Sequence, residues 1–200
     1  MKTLKTLFTS ALTAIILSAT VFASTAAASP VIAIHTSNLD IKKIKVTGNV
    51  KVFVVQGSSD WVSMDEENLP KVSLKQIGNT LTISSSESNP ISVTVYVKDI
   101  YRIEASDKAV VRTVGKFNVK YLQVLLRDNA IARVKASTQS IYTVISDQAN
   151  LELLGTTDKH IVKKNGIGNI NTEKFAALTT HHEAVDVETA MNIEKASPKK

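Results

Sequence analysis

The sequence predicts an all-β fold: a parallel β-helix, or short β-solenoid, whose N-terminal strands form its first coils or a cap. Three observations carry this expectation. Apolar residues recur with a period of two, not 3.6, from Val31 to the end. The strand candidates are rich in β-branched residues. The second half repeats: Ala109, Ala130, Ala149 and Gly168 are separated by steps of 21, 19 and 19 residues, with a weaker step of 16 to Ala184. Units of about 20 residues made only of strands cannot bury an apolar face alone, but stacked units can.

The N-terminus reads as a secretory leader over residues 1–28. Lys2 and Lys5 precede an apolar run from Leu7 to Phe22, and small residues follow in "ASTAAASP". Cleavage is expected after Ala28, with Ala23 as the alternative. The run is interrupted by Thr9, Ser10, Thr13 and Ser18, whereas a spanning helix needs about 20 apolar residues. No later segment has the character of a transmembrane helix. One domain is expected over residues 31–195, and residues 196–200 form a basic tail.

Strand by strand, "IKVTGNVKVFVVQG" alternates at Ile44 and Val46, then at Val50, Val52 and Val54. "VSLKQIGNTLTIS" reads as two strands joined at Gly78-Asn79, and "ISVTVYVKDI" alternates from Ile91 to Val97. "SSDWVSMDEENLPK" is a loop, or a weak strand plus loop, in which Trp61 either seals the core or forms an exposed contact. In the repeats the inward positions are Val111 and Thr113, Ala132 and Val134, Leu151 and Leu153, Ile170 and Thr172. A second row gives Leu122, Val124 and Leu126, then Ile141, Thr143 and Ile145, then a poorer copy at His160, Val162 and Lys164. The last copy slips, so that Val185 and Val187 become the inward candidates.

Composition removes several function classes. The chain has no cysteine, which excludes disulfides, thiolate metal sites, thiol nucleophiles and lipidation through an N-terminal Cys. The formal charge is +6, two units of which belong to the leader lysines, and the basic residues are scattered among acidic ones. A nucleic-acid partner would need a clustered basic face.

Asp107, Asp128 and Asp147 hold one register, each two positions before an alanine. On adjacent coils they would stand about 4.8 Å apart and repel. Three readings follow. They are corner residues whose side chains capture backbone N–H groups, metal ligands for a cation such as calcium, or acids for glycosidic cleavage. The corner reading alone explains the small residue two positions on. Arg112, Arg133 and Glu152 also share a register and predict an outward ladder of charges. His181, His182 and Glu183 with Asp186 make a poor metal set, because neighbours on a strand point to opposite faces. In "GIGNIN" the glycines fit a tight corner and close coil contact rather than a phosphate loop.

"IKKIKVTGNVKVFVVQG", "VSLKQIGNTLTIS" and "ISVTVYVKDIYRIEASDKAVV" resemble the head GIN domain family of auto-transporter adhesins. The matching residues are Ile44, Val46, Gly48, Val50, Val52, Gln56 and Gly57, then Gly78, Leu81 and Ile83, then Val93 to Ile103. The coils depart from the family pattern of Gly-x-Gly-x-Ile: only Gly166, Gly168 and Ile170 keep it, and Ala109, Ala130 and Ala149 stand elsewhere. The resemblance implies a right-handed parallel β-helix, a Bacteroidetes-type envelope protein and no established catalytic residues. The resulting expectation is a non-enzymatic, adhesin-like domain that needs no cofactor and is exported to the periplasm, outer-membrane surface or extracellular space. Its partner would be a glycan or a cell-surface protein, with weak self-association through unpaired coil edges as a further option. Arg112, Arg133, Glu152, Trp61 and Tyr142 are the candidate ligand-binding residues. The runner-up is a polysaccharide-cleaving enzyme using the Asp row, and the third reading is a purely structural module.

Overall fold

A computed structural model describes residues 31–34 and 39–184. The leader, its cleavage site, the Val185–Val187 slip, Asp186, the domain limit at 195 and the basic tail lie outside the described residues. The strands are β1 (Val31–Ile34), β2 (Lys43–Gly48), β3 (Val50–Gln56), β4 (Trp61–Asp65), β5 (Ser73–Ile77), β6 (Thr80–Ser85) and β7 (Ile91–Val97). Then come β8 (Arg102–Ala105), β9 (Val110–Val114), β10 (Tyr121–Leu126), β11 (Ile131–Asp147), β12 (Asn150–Gly166) and β13 (Asn169–Glu183). A short 3-10 segment, Glu66–Lys71, is the helical piece among the described residues.

The fold is all-β. One curled sheet holds every strand, and it makes two rows around a shared core. The first row runs β1-β4-β7-β3-β9 and continues into the first halves of β11, β12 and β13; the second runs β5-β6-β2-β8-β10 and continues into their second halves. Strand β11 belongs to both, pairing with β9 through Ile131–Arg133 and with β10 through Ser140–Ile145. The pairings β2-β6, β2-β8, β3-β7, β3-β9 and all those from β10 to β13 are parallel. Strands β1, β4 and β5 pair antiparallel at one end of the rows.

The repeat register is as the spacing predicts: Ile131 pairs with Val110, 21 residues before it, and with Asn150, 19 after it. Asn150 pairs with Asn169, again at 19. The step to Ala184 does not hold. An irregularity between Glu152 and Leu154 inserts one residue in β13, after which His160 pairs with Thr180 and Lys163 with Glu183, a step of 20. Ala184 therefore follows the second row instead of starting a new corner. Thr172, expected inward, is exposed beside that bulge.

Alternation decides what is buried. Val46, Val52, Val54, Val111, Val124, Val134 and Ile145 are fully buried and belong to one core cluster. A one-residue slip would expose every one of them, so the pattern fixes the register. Polar staples hold the connections. Asp60 accepts backbone N–H groups from Ile41 and Lys98, joining the entry of the chain to the exit of β7. Gln56 donates to the carbonyls of Lys98 and Asn118 and accepts from the N–H of Asn118, tying successive loops.

Candidate functional site

The Asp row sits at a corner between the two rows. Asp107, Asp128 and Asp147 adopt positive φ of 58°, 59° and 59°, a left-handed conformation that Asp tolerates better than most side chains. Each is the second residue of a tight turn, closed by the N–H of Ala109, Ala130 or Ala149 donating to the carbonyl of Ser106, Arg127 or Ser146. The alanines are completely buried, which explains the small residue two positions on. One carboxylate oxygen of Asp147 accepts the N–H of Asp128, one of Asp128 accepts that of Asp107, and one of Asp107 accepts that of Gly48, each at 3.1 Å. Gly48 and Gly166 continue the column with φ of 83° and 117°. Each acid thus satisfies a backbone donor of the neighbouring turn, and Arg127 lies 3.8 Å from Asp128.

Among the described residues no group of three His, Cys, Asp or Glu side chains is placed to hold a metal ion. Asp107 also borders open concavities. One of ≈ 570 Å³ is lined by Thr47, Pro70, Lys71 and Ser85, and one of ≈ 390 Å³ by Asn49, Glu87 and Lys108.

The remaining candidates divide between two outer faces. Arg112, Arg133 and Glu152 are cross-strand partners on the first row, and Arg133 Nη1 meets Glu152 Oε2 at 2.9 Å. Phe53 lies opposite Arg112 in the same line. Trp61 stands at the end of this face and is not a core residue: Val62 and Met64 take the inward positions of β4. Its ring stacks on Tyr96 with centroids 3.8 Å apart and planes 2° apart. Tyr142 belongs to the other face. It pairs with Gln123 and Ile161 in the second row, and its hydroxyl reaches Glu183 at 3.3 Å. Burial and the nearby Glu183 raise its pKa above the usual tyrosine value. The five candidates therefore do not form one site. Phe53 and Tyr96 were missed by sequence reasoning, although both fall on the outward parity of strands already recognised.

His160 takes the inward position that Ile141 holds on the neighbouring strand and is 2 % exposed. Its Nε2 lies 3.0 Å from Thr143 Oγ1, and its ring meets Phe175 edge-on at 5.4 Å. Burial, then the charge of His182, lowers its pKa to about 4. His181 pairs with Ile161 and His182 with Val162, so the two rings take opposite parities, as the strand argument requires.

These features define a strand-stacked, all-β domain whose acidic corner residues serve its own backbone and whose outer faces carry the mixed polar and aromatic side chains. The sequence matches the family described as "Putative auto-transporter adhesin, head GIN domain" over residues 40–194, and the chain belongs to that family. The fold is similar to "a putative adhesin" of Parabacteroides merdae ATCC 43184, with TM-score 0.63, 21% identity, and coverage of 74% of this chain and 65% of that one. The chain thus spans about two thirds of that protein's length. A Bacteroides fragilis NCTC 9343 protein of the same description gives TM-score 0.64 at 14% identity, covering 78% of this chain and 76% of that one. A "Putative lipid binding protein" of Parabacteroides distasonis ATCC 8503 gives 0.55 at 14% identity, covering 76% and 77%. At these identities the likeness is one of fold. No curated protein matches.

Proposed function

We propose that this chain is an exported, non-enzymatic binding domain of the cell envelope, built as a right-handed parallel β-helix and acting through an outer face of its sheet. The observation that carries the reading is the employment of the Asp row. Its carboxylates accept backbone N–H groups across the coils, so the most conspicuous acids in the sequence are committed to holding corners. Parallel pairing at steps of 21 and 19 residues supports the β-helix. A face of side chains in register suits an extended partner, a glycan or a protein surface, better than a small molecule. The family and two of its structural relatives carry adhesin descriptions, which favours binding over turnover. Among the described residues no helix is long and apolar enough to cross a membrane.

The competing reading is a polysaccharide-cleaving enzyme. It would draw on Asp107 and Glu87, which line one concavity. The test is binding and turnover on a broad glycan panel, with calcium and with chelator, beside a triple Asn variant at Asp107, Asp128 and Asp147 and a Glu87→Gln variant. Binding without turnover, retained in the variants, is expected. Cleavage that disappears in a well-folded variant would overturn the proposal.

A further inference from the structure

Resting on the reading of this chain as a binding domain, we infer that the outer face of the first row is a docking surface for an acidic glycan, with Arg112 as its central anion contact. Three observations point there. Outward positions on β3, β9 and the first half of β11 include Lys51, Arg112, Arg133 and Lys135, and no carboxylate. Arg112 and Arg133 are direct cross-strand partners. Like charges placed so destabilise a sheet, and the single acid at this point, Glu152, is taken by Arg133. Among the described residues Arg112 forms no ion pair, although it is exposed. Folding therefore pays for a cation that it does not use, and an anionic group bound beside Arg112 would offset the repulsion.

The third observation selects the rest of the ligand. Phe53 lies one strand from Arg112 in the same line, and the Trp61–Tyr96 stack begins the adjacent line, which continues through Val55 and Val114. Aromatic and cationic side chains are thus interleaved at about 4.8 Å from strand to strand and about 7 Å along each strand. Sugar rings offer C–H faces to the aromatics, while carboxylate or sulfate groups meet the cations. Phe53, Tyr96 and Trp61 are all half-buried.

The test measures retention of the exported chain on polygalacturonate, hyaluronate and chondroitin sulfate, beside neutral dextran and xylan, polyglutamate, and phosphatidylglycerol vesicles. Acidic glycans are expected to bind, weakening with salt, and dextran, xylan and polyglutamate to bind at least tenfold less. Arg112→Glu should lower affinity tenfold or more, and Arg112→Lys should recover part of it. Trp61→Ala should lower glycan affinity severalfold, and Tyr121→Phe on the outer face of the second row should change nothing. Melting temperatures of all variants separate loss of binding from loss of fold. Equal binding of polyglutamate, preference for the vesicles, or an unaffected Arg112→Glu variant would overturn this inference. Neutral-glycan binding insensitive to Arg112 would overturn it while leaving the binding-domain reading intact. Turnover of a neutral glycan would overturn that reading as well.

Discussion

Replacement of Asp128 separates the corner reading of the Asp row from its alternatives. Asp128 does two things: it adopts φ of 59°, and it accepts the N–H of Asp107 at 3.1 Å. Asn keeps both, since its side-chain oxygen accepts and it tolerates the left-handed region. It also removes one of three neighbouring like charges, so Asp128→Asn should lie within about 0.5 kcal/mol of the wild type. Gly keeps the conformation but loses the acceptor. The bond is charge-assisted yet half-exposed, so Asp128→Gly should cost about 1 kcal/mol. Ala loses the acceptor and adds about 1 kcal/mol of left-handed strain, for a total of about 2 kcal/mol. At about 2–4 °C per kcal/mol for a domain of this size, Asp128→Ala should melt about 4–8 °C lower. Thermal melts of the three variants, with calcium and with chelator, form the assay. Equal destabilisation of all three, or a calcium-dependent rise in melting temperature that the Asn variant loses, would refute the argument and restore a cation site.

Two further outcomes are expected. His160 is held neutral, with its pKa lowered to about 4 against an ordinary 6.5. The unfolded chain therefore binds the extra proton first, and the stability due to the neutral, buried ring, on the order of 2 kcal/mol, is present above pH 6.5 and lost as pH falls toward 4. His160→Ile, which repeats the Ile141 position, should flatten this part of the pH dependence in urea titrations at pH 7 and pH 4.5; an unchanged slope would refute it. Gly155 has φ of 103°, and a Cβ there would meet the Ala136 carbonyl oxygen at 2.0 Å, whereas Gly78 has φ of 57° with open space around it. Gly155→Ala should therefore cost about 3 kcal/mol or more and Gly78→Ala about 1, and comparable melting temperatures for the two would contradict the crowding argument.

Much of this molecule was legible because burial on one side imposes a period of two. Val111, Ala132 and Leu151 stack as their spacing says, and the Arg133–Glu152 pair follows from the same step of 19. Trp61 was harder, since β4 has only five residues and the inward places went to Val62 and Met64. Tyr142 was recognisably outward, but which face it joins depends on where β11 turns between its two rows. The bulge opposite Leu153 adds one residue that no local pattern announces, and it moved Ala184 out of its expected place. The aromatic and cationic face was invisible for another reason. Phe53, Arg112 and Tyr96 become neighbours only through pairings between segments far apart in the chain.

The order of strands along the stack differs from their order along the chain. Strands β2 and β3 emerge early, yet they lie between β6-β7 on one side and β8-β9 on the other. As the chain emerges during synthesis, this first pair has no parallel neighbour on either side until most of residues 80–114 have followed. The leading part of the molecule must close as one unit through distant contacts, which is the slow kind of folding step. From β10 onward each strand pairs with one already in place, so the trailing half can zip up strand by strand. Insertions or deletions of whole sequence repeats are therefore tolerable in the trailing half. In the leading half they would break a nucleus on which everything later is templated.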